Sequence, residues 1–89
     1  MDFEFDPAKS AINKDKHGID FVEAQLLWFD SRLAQTDSTA NLAGELRFLA
    51  IGRIGERHWT AICTLRGQAV RIISVRRARK EEIGYYEGS

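Results

Sequence analysis

Apolar and polar positions change rhythm about halfway along the chain. Phe3-Glu4-Phe5 alternates and predicts a short first strand. Asp6-Pro7 then opens a helix, with an N-cap carboxylate followed by proline at the first helical position, where the missing N–H costs nothing. That helix extends to about His17, and Gly18 supplies the left-handed residue that ends it. Lys14, Lys16 and His17 fall in its last turn, at the negative end of the helix dipole. Asp20 and Glu23 have capping-box spacing, with Ile19 as a hydrophobic staple, so a second helix is expected to about Phe29. Phe21, Ala24, Leu27 and Trp28 share its core-facing stripe. The two helices predict a helical hairpin. A short strand is expected at 32–36, and the polar stretch Asp37 to Gly44 reads as a loop.

From Leu46 the period becomes two. Leu46 to Gly52 predicts a strand, Arg53 to Glu56 a turn, and His58 to Leu65 the next strand. Gly67-Gln68 reads as a glycine-first hairpin turn, and Val70 to Val75 as a strongly β-branched central strand. Arg77 to Tyr86 is helical in pattern, weakened near its end by Gly84. The expected fold class is α+β: one domain over residues 1–89, with a small antiparallel sheet against a helical hairpin and a C-terminal helix.

Alternation also sorts the side chains of the sheet. Arg47, Leu49 and Ile51 share one face of their strand, and His58, Thr60, Ile62, Thr64 and Arg66 form the more polar face of the next. In the last strand Val70, Ile72, Ser74 and Arg76 oppose Arg71, Ile73 and Val75, which sets Arg71 apart from Arg76. One face is thus expected to pack on helices while the other gathers arginines.

Composition narrows the setting. A single cysteine, Cys63, rules out an internal disulfide. No apolar run approaches the roughly 20 residues that span a bilayer, and the acidic start MDFEFDP is no signal peptide. A soluble cytoplasmic protein that does not meet the membrane is expected. The net charge of zero conceals an asymmetry. Residues 1–45 carry nine acids against four Lys/Arg, and residues 46–89 carry four acids against nine. Two surfaces with different partners would account for this, as would two merely solvated faces.

Arginine suits phosphate because its planar fork donates paired hydrogen bonds and keeps its charge at any cellular pH. Histidine suits proton transfer near neutrality. Of the two histidines, His17 sits at a helix end, where a dipole cap is the plain alternative, and His58 begins a strand as expected surface. Two histidines and one cysteine at unrelated spacings make no metal pattern, and no glycine-rich phosphate loop or nucleophile elbow is present. No cofactor is expected. Phe21, Leu27, Trp28, Phe48 and Trp59 read as core.

Three separated segments resemble one known family. FDPAKSAINKDKHGIDFVEA (residues 5–24) is similar to the pattern (W/F)DPxKxxxNxxKHGxxFxEA of BrnT-like toxins. GELRF (44–48) matches that family's GExR element, and RIISVRRARKEE (71–82) matches RIISARxAxxxE. The chain departs from the pattern at Phe5, where tryptophan is commoner, at Val75, usually alanine, and at Ile83, usually arginine. The resemblance implies a RelE/ParE-like fold and a ribonuclease toxin of a type II toxin–antitoxin system. It also implies a BrnA-like ribbon-helix-helix antitoxin in a heterotetramer that meets operator DNA only through the antitoxin.

A metal-independent ribonuclease of this kind would use the RNA's own 2′-hydroxyl as nucleophile. His17 is then the expected acid or base, Glu45 a second base or the orienter of Arg47, and Arg47, Arg66 and Arg76 the phosphate clamp. Lys9 and Lys16 are expected to attract the RNA backbone. Two other classes fit the same residues: a module that binds RNA or antitoxin without cutting, and a ParE-like toxin acting on a protein target.

Overall fold

The alternating second half forms the expected three strands, each longer than its apolar run. In the computed structural model, which describes residues 1–88, the chain order begins with β1 (Phe3–Glu4), α1 (Pro7–His17) and a 3₁₀ segment (Glu23–Phe29). Then come β2 (Ala34–Gln35), β3 (Thr39–Ala40), β4 (Leu46–Ile54), β5 (Arg57–Arg66), β6 (Ala69–Arg77) and α2 (Lys80–Glu87). The fold is α+β around a mixed six-stranded sheet in the order β1-β6-β5-β4-β2, with β3 also paired to β4. β4, β5 and β6 are antiparallel neighbours, whereas β1 joins β6 in parallel. The sheet is therefore not purely antiparallel, and the loop expected at 37–44 contains an extra short strand.

Both long hairpins turn on a glycine. Gly55 and Gly67 have φ of 63° and 58°, and among the described residues no other residue type has a positive φ. A positive φ at the first turn position alone is the pattern of a type II′ turn, which matches the twist of the flanking strands.

The second limb of the expected helical hairpin is a 3₁₀ segment instead. The capping box is present: Glu23 N donates to Asp20 Oδ1 at 2.7 Å, and Asp20 N to Glu23 Oε1 at 3.0 Å. The segment behind this box is wound more tightly because burial repeats every third residue. Phe21, Ala24 and Leu27 are all at most 1% exposed. Three residues per turn puts side chains at that spacing in line.

These three join Ile19, Phe48, Trp59, Ala61, Cys63, Ile72 and Val75 in the main core on one face of the sheet. Trp28 lies partly buried at its rim, edge-to-face with Phe3 at 4.9 Å, and Phe5 packs likewise on Phe21 at 5.9 Å. Phe5 and Val75, two of the departures from the family pattern, are thus accommodated by packing alone.

The other face is not wholly free for arginines. α2 covers one end of it, where Tyr86 is buried against Ala34 and Ile51. Tyr86 Oη donates to Asp30 Oδ2 at 2.7 Å, and Asp30 also accepts the backbone N–H groups of Arg53 and Arg32. Partial burial would raise the Asp30 carboxyl, but these donors outweigh it and hold it below the ordinary range.

Glu82 anchors the other end of α2. Its carboxylate takes both terminal nitrogens of Arg76 at 2.7 and 2.8 Å, the Thr60 hydroxyl at 2.9 Å and the Arg79 backbone N–H at 2.8 Å. Arg76, opposed by burial, draws the Glu82 carboxyl down from 4.5 to about 2. A depressed folded-state value stabilises the protein above the unfolded value, and that contribution is lost as pH falls from about 4.5 towards 2. Glu82→Gln is expected to cost about 3 kcal/mol at pH 7 and to flatten the fall in melting temperature across that acid range. Thermal melts of both proteins from pH 7 to pH 2 test this, and parallel curves would refute it.

Candidate active site on the open face of the sheet

α1 carries a histidine placed beside unspent cations. Asp6 caps the helix, its Oδ1 accepting from Ala8 N at 2.9 Å, and Pro7 occupies the first position. Gly18, with φ of 81°, ends it and donates its N–H to Lys14 O at 2.9 Å. Asn13 and Ser10, both buried, fix α1 to its surroundings. Asn13 Nδ2 donates to Ile19 O and Val75 O at 2.7 and 2.9 Å, and its Oδ1 accepts from Val75 N at 3.2 Å. Ser10 Oγ accepts from Phe21 N at 2.9 Å. α1 therefore docks against the outer edge of β6 where the short β1 no longer covers it.

This docking opens a groove lined by Lys9, Lys16, His17, Ile73 and Ser74. Lys9, Lys16 and His17 make no hydrogen bond or ion pair with any described residue. Asp6, Ser10, Asn13 and Lys14 of the DPxK…NxxKHG stretch have structural partners, whereas the Lys9 and Lys16 side chains are exposed and that of His17 is half-buried at the groove. Lys14 is instead tied to Glu23 at 2.7 Å, a hydrogen bond that raises the lysine and lowers the glutamate.

The polar face of β5 defines the second cluster. Thr60 reaches Glu82, so Thr60, Ile62 and Thr64 look towards the side that carries α2. Thr64 stands directly opposite Arg47 on β4 and Arg71 on β6, and Arg71 in turn opposes Glu4 on β1. Directly paired residues share a face. Glu4, Arg71, Thr64, Arg47 and Thr39 thus form one row across the sheet, below the part that α2 covers.

The position of Arg71 corrects the expectation from alternation. Ile62 pairs with Ser74 but Cys63 pairs with Ile72, leaving Ile73 as an unpaired extra residue. That β-bulge reverses the parity of β6. Arg71 therefore shares its face with Arg76 instead of opposing it, and Ile72 and Val75 both reach the core. A one-residue insertion flips every side chain beyond it.

Glu45 and Arg66 meet in a cleft that also includes Ser38 and Thr64. Asn41 shapes this corner, its Oδ1 accepting from Ala43 N and Glu45 N at 3.0 and 2.9 Å. Glu45 Oε1 accepts from Arg47 Nε at 2.9 Å, and the terminal nitrogens of Arg47 have no acidic partner among the described residues. Arg66, exposed, has no acidic partner among the described residues. Arg76 is committed differently: its fork is filled by Glu82, so it fastens α2 rather than presenting free donors.

The expected residues therefore fall into two clusters. Lys9, Lys16 and His17 lie along the β6 edge, and Glu45, Arg47 and Arg66 lie at the β4–β5 end. His58 is not simple surface, as expected, but half-buried edge-to-face on Tyr86 at 5.3 Å. Burial pushes the Cys63 thiol up to about 12, which removes it as a nucleophile. Among the described residues no three His, Cys, Asp or Glu side chains gather as a metal site. Ser10, Asn13, Asn41 and Thr64 shape the site although neither residue type nor spacing marks them for chemistry. Polar side chains within otherwise periodic stretches are the signal that could have found them.

Forked cations on an open sheet and a half-buried histidine beside two exposed lysines suit a polyanionic backbone with proton transfer at a phosphodiester. A family model described as "Ribonuclease toxin, BrnT, of type II toxin-antitoxin system" matches residues 5–82. No curated protein matches the chain.

Proposed function

Because the chain belongs to the BrnT family of ribonuclease toxins of type II toxin–antitoxin systems, we propose that its open arginine face and the His17 groove form one endoribonuclease site. Membership also implies an antitoxin partner. The observation that carries the reading is His17, held on a fixed helix end beside Lys9 and Lys16 with its ring nitrogens unspent on any described residue.

In the proposed reaction the 2′-hydroxyl oxygen forms a bond to phosphorus as its proton leaves, and the bond from phosphorus to the 5′-oxygen breaks as that oxygen is protonated. A 2′,3′-cyclic phosphate and a 5′-hydroxyl result. His17 takes or gives one of these two protons, and water exchanges the other. Arg47 and Arg66 bear on the phosphate as negative charge gathers on its oxygens, and Glu45 holds Arg47 in place through their Nε–Oε1 bond. Arg76 acts through Glu82, by keeping α2 on the sheet. Lys9 and Lys16 draw in the backbone, an attraction that weakens as salt rises.

The same reading takes residues 1–89 as one RelE/ParE-like toxin domain working in the cytoplasm without a metal. Its partner would be a BrnA-like ribbon-helix-helix antitoxin, in a heterotetramer that meets operator DNA only through the antitoxin. Purified protein incubated with RNA should yield cyclic-phosphate ends at a rate unchanged by chelator. Products lost with chelator would refute the metal-independent route, and no cleavage by folded, partner-free protein would favour a binding module.

A further inference from the structure

Arg71 lies on β6 two residues before the Ile73 bulge, between the His17 groove and the cleft of Glu45 and Arg66. The bulge does two things at once. It lets Ile73 and Ser74 line the His17 groove, and it turns Arg71 onto the open face opposite Thr64. Bulges concentrate beside active sites because they re-aim a side chain that regular pairing would point elsewhere.

We propose that Arg71 is a phosphate-contacting residue of the RNA site, with the backbone crossing the sheet along the row Arg71–Thr64–Arg47. This rests on the ribonuclease reading and adds the path of the substrate.

Three features support it. Arg71 and Arg47 flank Thr64 on either side, each one strand spacing away, roughly 4.7–4.9 Å. Thr64 between them is uncharged, and its hydroxyl proton is directed to Leu46 O at 2.6 Å. The only acidic partner of Arg71 among the described residues is Glu4, at 3.5 Å, with the Arg71 and Glu4 side chains 28% and 43% exposed. That pair is long and partly solvated, so most of the five N–H donors of Arg71 remain unspent. The contrast with Arg76, whose fork is closed by Glu82 at 2.7 and 2.8 Å, separates an arginine that fastens the fold from one open to a ligand. Glu4 then serves as a weak placeholder that a phosphate displaces.

The test measures binding of an oligoribonucleotide methylated at every 2′-oxygen, which cannot be cut, beside cleavage of the unmodified strand. Arg71→Ala should bind roughly 10-fold more weakly and lower the slope of log affinity against log salt by about 0.7. Arg71→Lys should keep the slope and recover only part of the affinity, because a point charge replaces a fork. Glu4→Gln should bind more tightly, since the placeholder is gone. All three should melt near the wild-type temperature, because a solvated ion pair contributes little.

If wild type binds and cuts RNA while Arg71→Ala matches it in affinity and slope, the assignment is wrong and the ribonuclease reading stands. Weakening by Glu4→Gln as much as by Arg71→Ala would mark the pair as structural and also overturn it. A wild type that binds the methylated strand in an Arg71-dependent way yet never cuts supports the phosphate contact and sinks catalysis. Wild type that neither binds nor cuts overturns both.

Discussion

Replacing His17 by alanine is expected to slow RNA cleavage by about 10²–10⁴-fold, the usual cost of losing a general acid–base group, and to leave folding and antitoxin binding intact. The expectation that the fold survives rests on what His17 does not do. Among the described residues it has no hydrogen-bond or ion-pair partner, and the end of α1 is already closed by the Gly18 N–H on Lys14 O. The loss of a basic residue at the helix end costs at most about 0.3–1 kcal/mol. Cleavage rates, melting temperature and antitoxin affinity should be measured on the same preparation. Equal rates for wild type and variant would reduce His17 to a helix-end residue and move the search for the proton-transfer group to the Glu45 cleft. A variant that melts far below wild type would instead show that the ring is structural.

Asn13→Ala should have the opposite profile, a large loss of stability. One amide satisfies Ile19 O, Val75 O and Val75 N, and its residue is 6% exposed. Truncation leaves three backbone groups without that partner, and each such group costs about 1–3 kcal/mol. A total near 3 kcal/mol corresponds to a fall in melting temperature of roughly 15 °C for a domain of this size. Asn13→Asp should also be poor, because a carboxylate offers no N–H to two carbonyls. Differential scanning calorimetry gives the numbers. A shift under about 3 °C would mean that water replaces the amide and that the latch on β6 is dispensable.

Much of this architecture was legible in the sequence because it depends on short-range rules. Period-two alternation placed β4, β5 and β6, the Asp6-Pro7 start and Gly18 stop bounded α1, and Gly67 located a hairpin. Three features escaped for reasons that are not local. The parallel partner of Phe3-Glu4 lies on the last strand, and periodicity carries no information about pairing direction. The 3₁₀ winding of Glu23–Phe29 depends on which side chains meet the core, since capping-box spacing is common to both helix types. The bulge at Ile73 leaves no mark in a run of β-branched residues, yet it decides which way Arg71 points.

For the candidate site, only the placement of its residues can be compared with the sequence reading. Residue type and resemblance selected His17, Glu45, Arg47 and Arg66; Arg66 is exposed and the other three are partly exposed. Arg76 looked equivalent in one dimension, but Glu82, six residues on, occupies its fork. Spacing within a strand identifies a face, not whether the guanidinium is already in use.

The last strand ties together both helices and the first strand. β6 holds β1 through Val70 and Arg71, α1 through Val75, and α2 through Arg76, and the α1 contact joins residues 62 positions apart. Until β6 is in place, no framework brings His17 together with Glu45, Arg47 and Arg66. Contacts so distant in sequence close slowly and late. The candidate site would then assemble in one step with the closure of β6, rather than piece by piece.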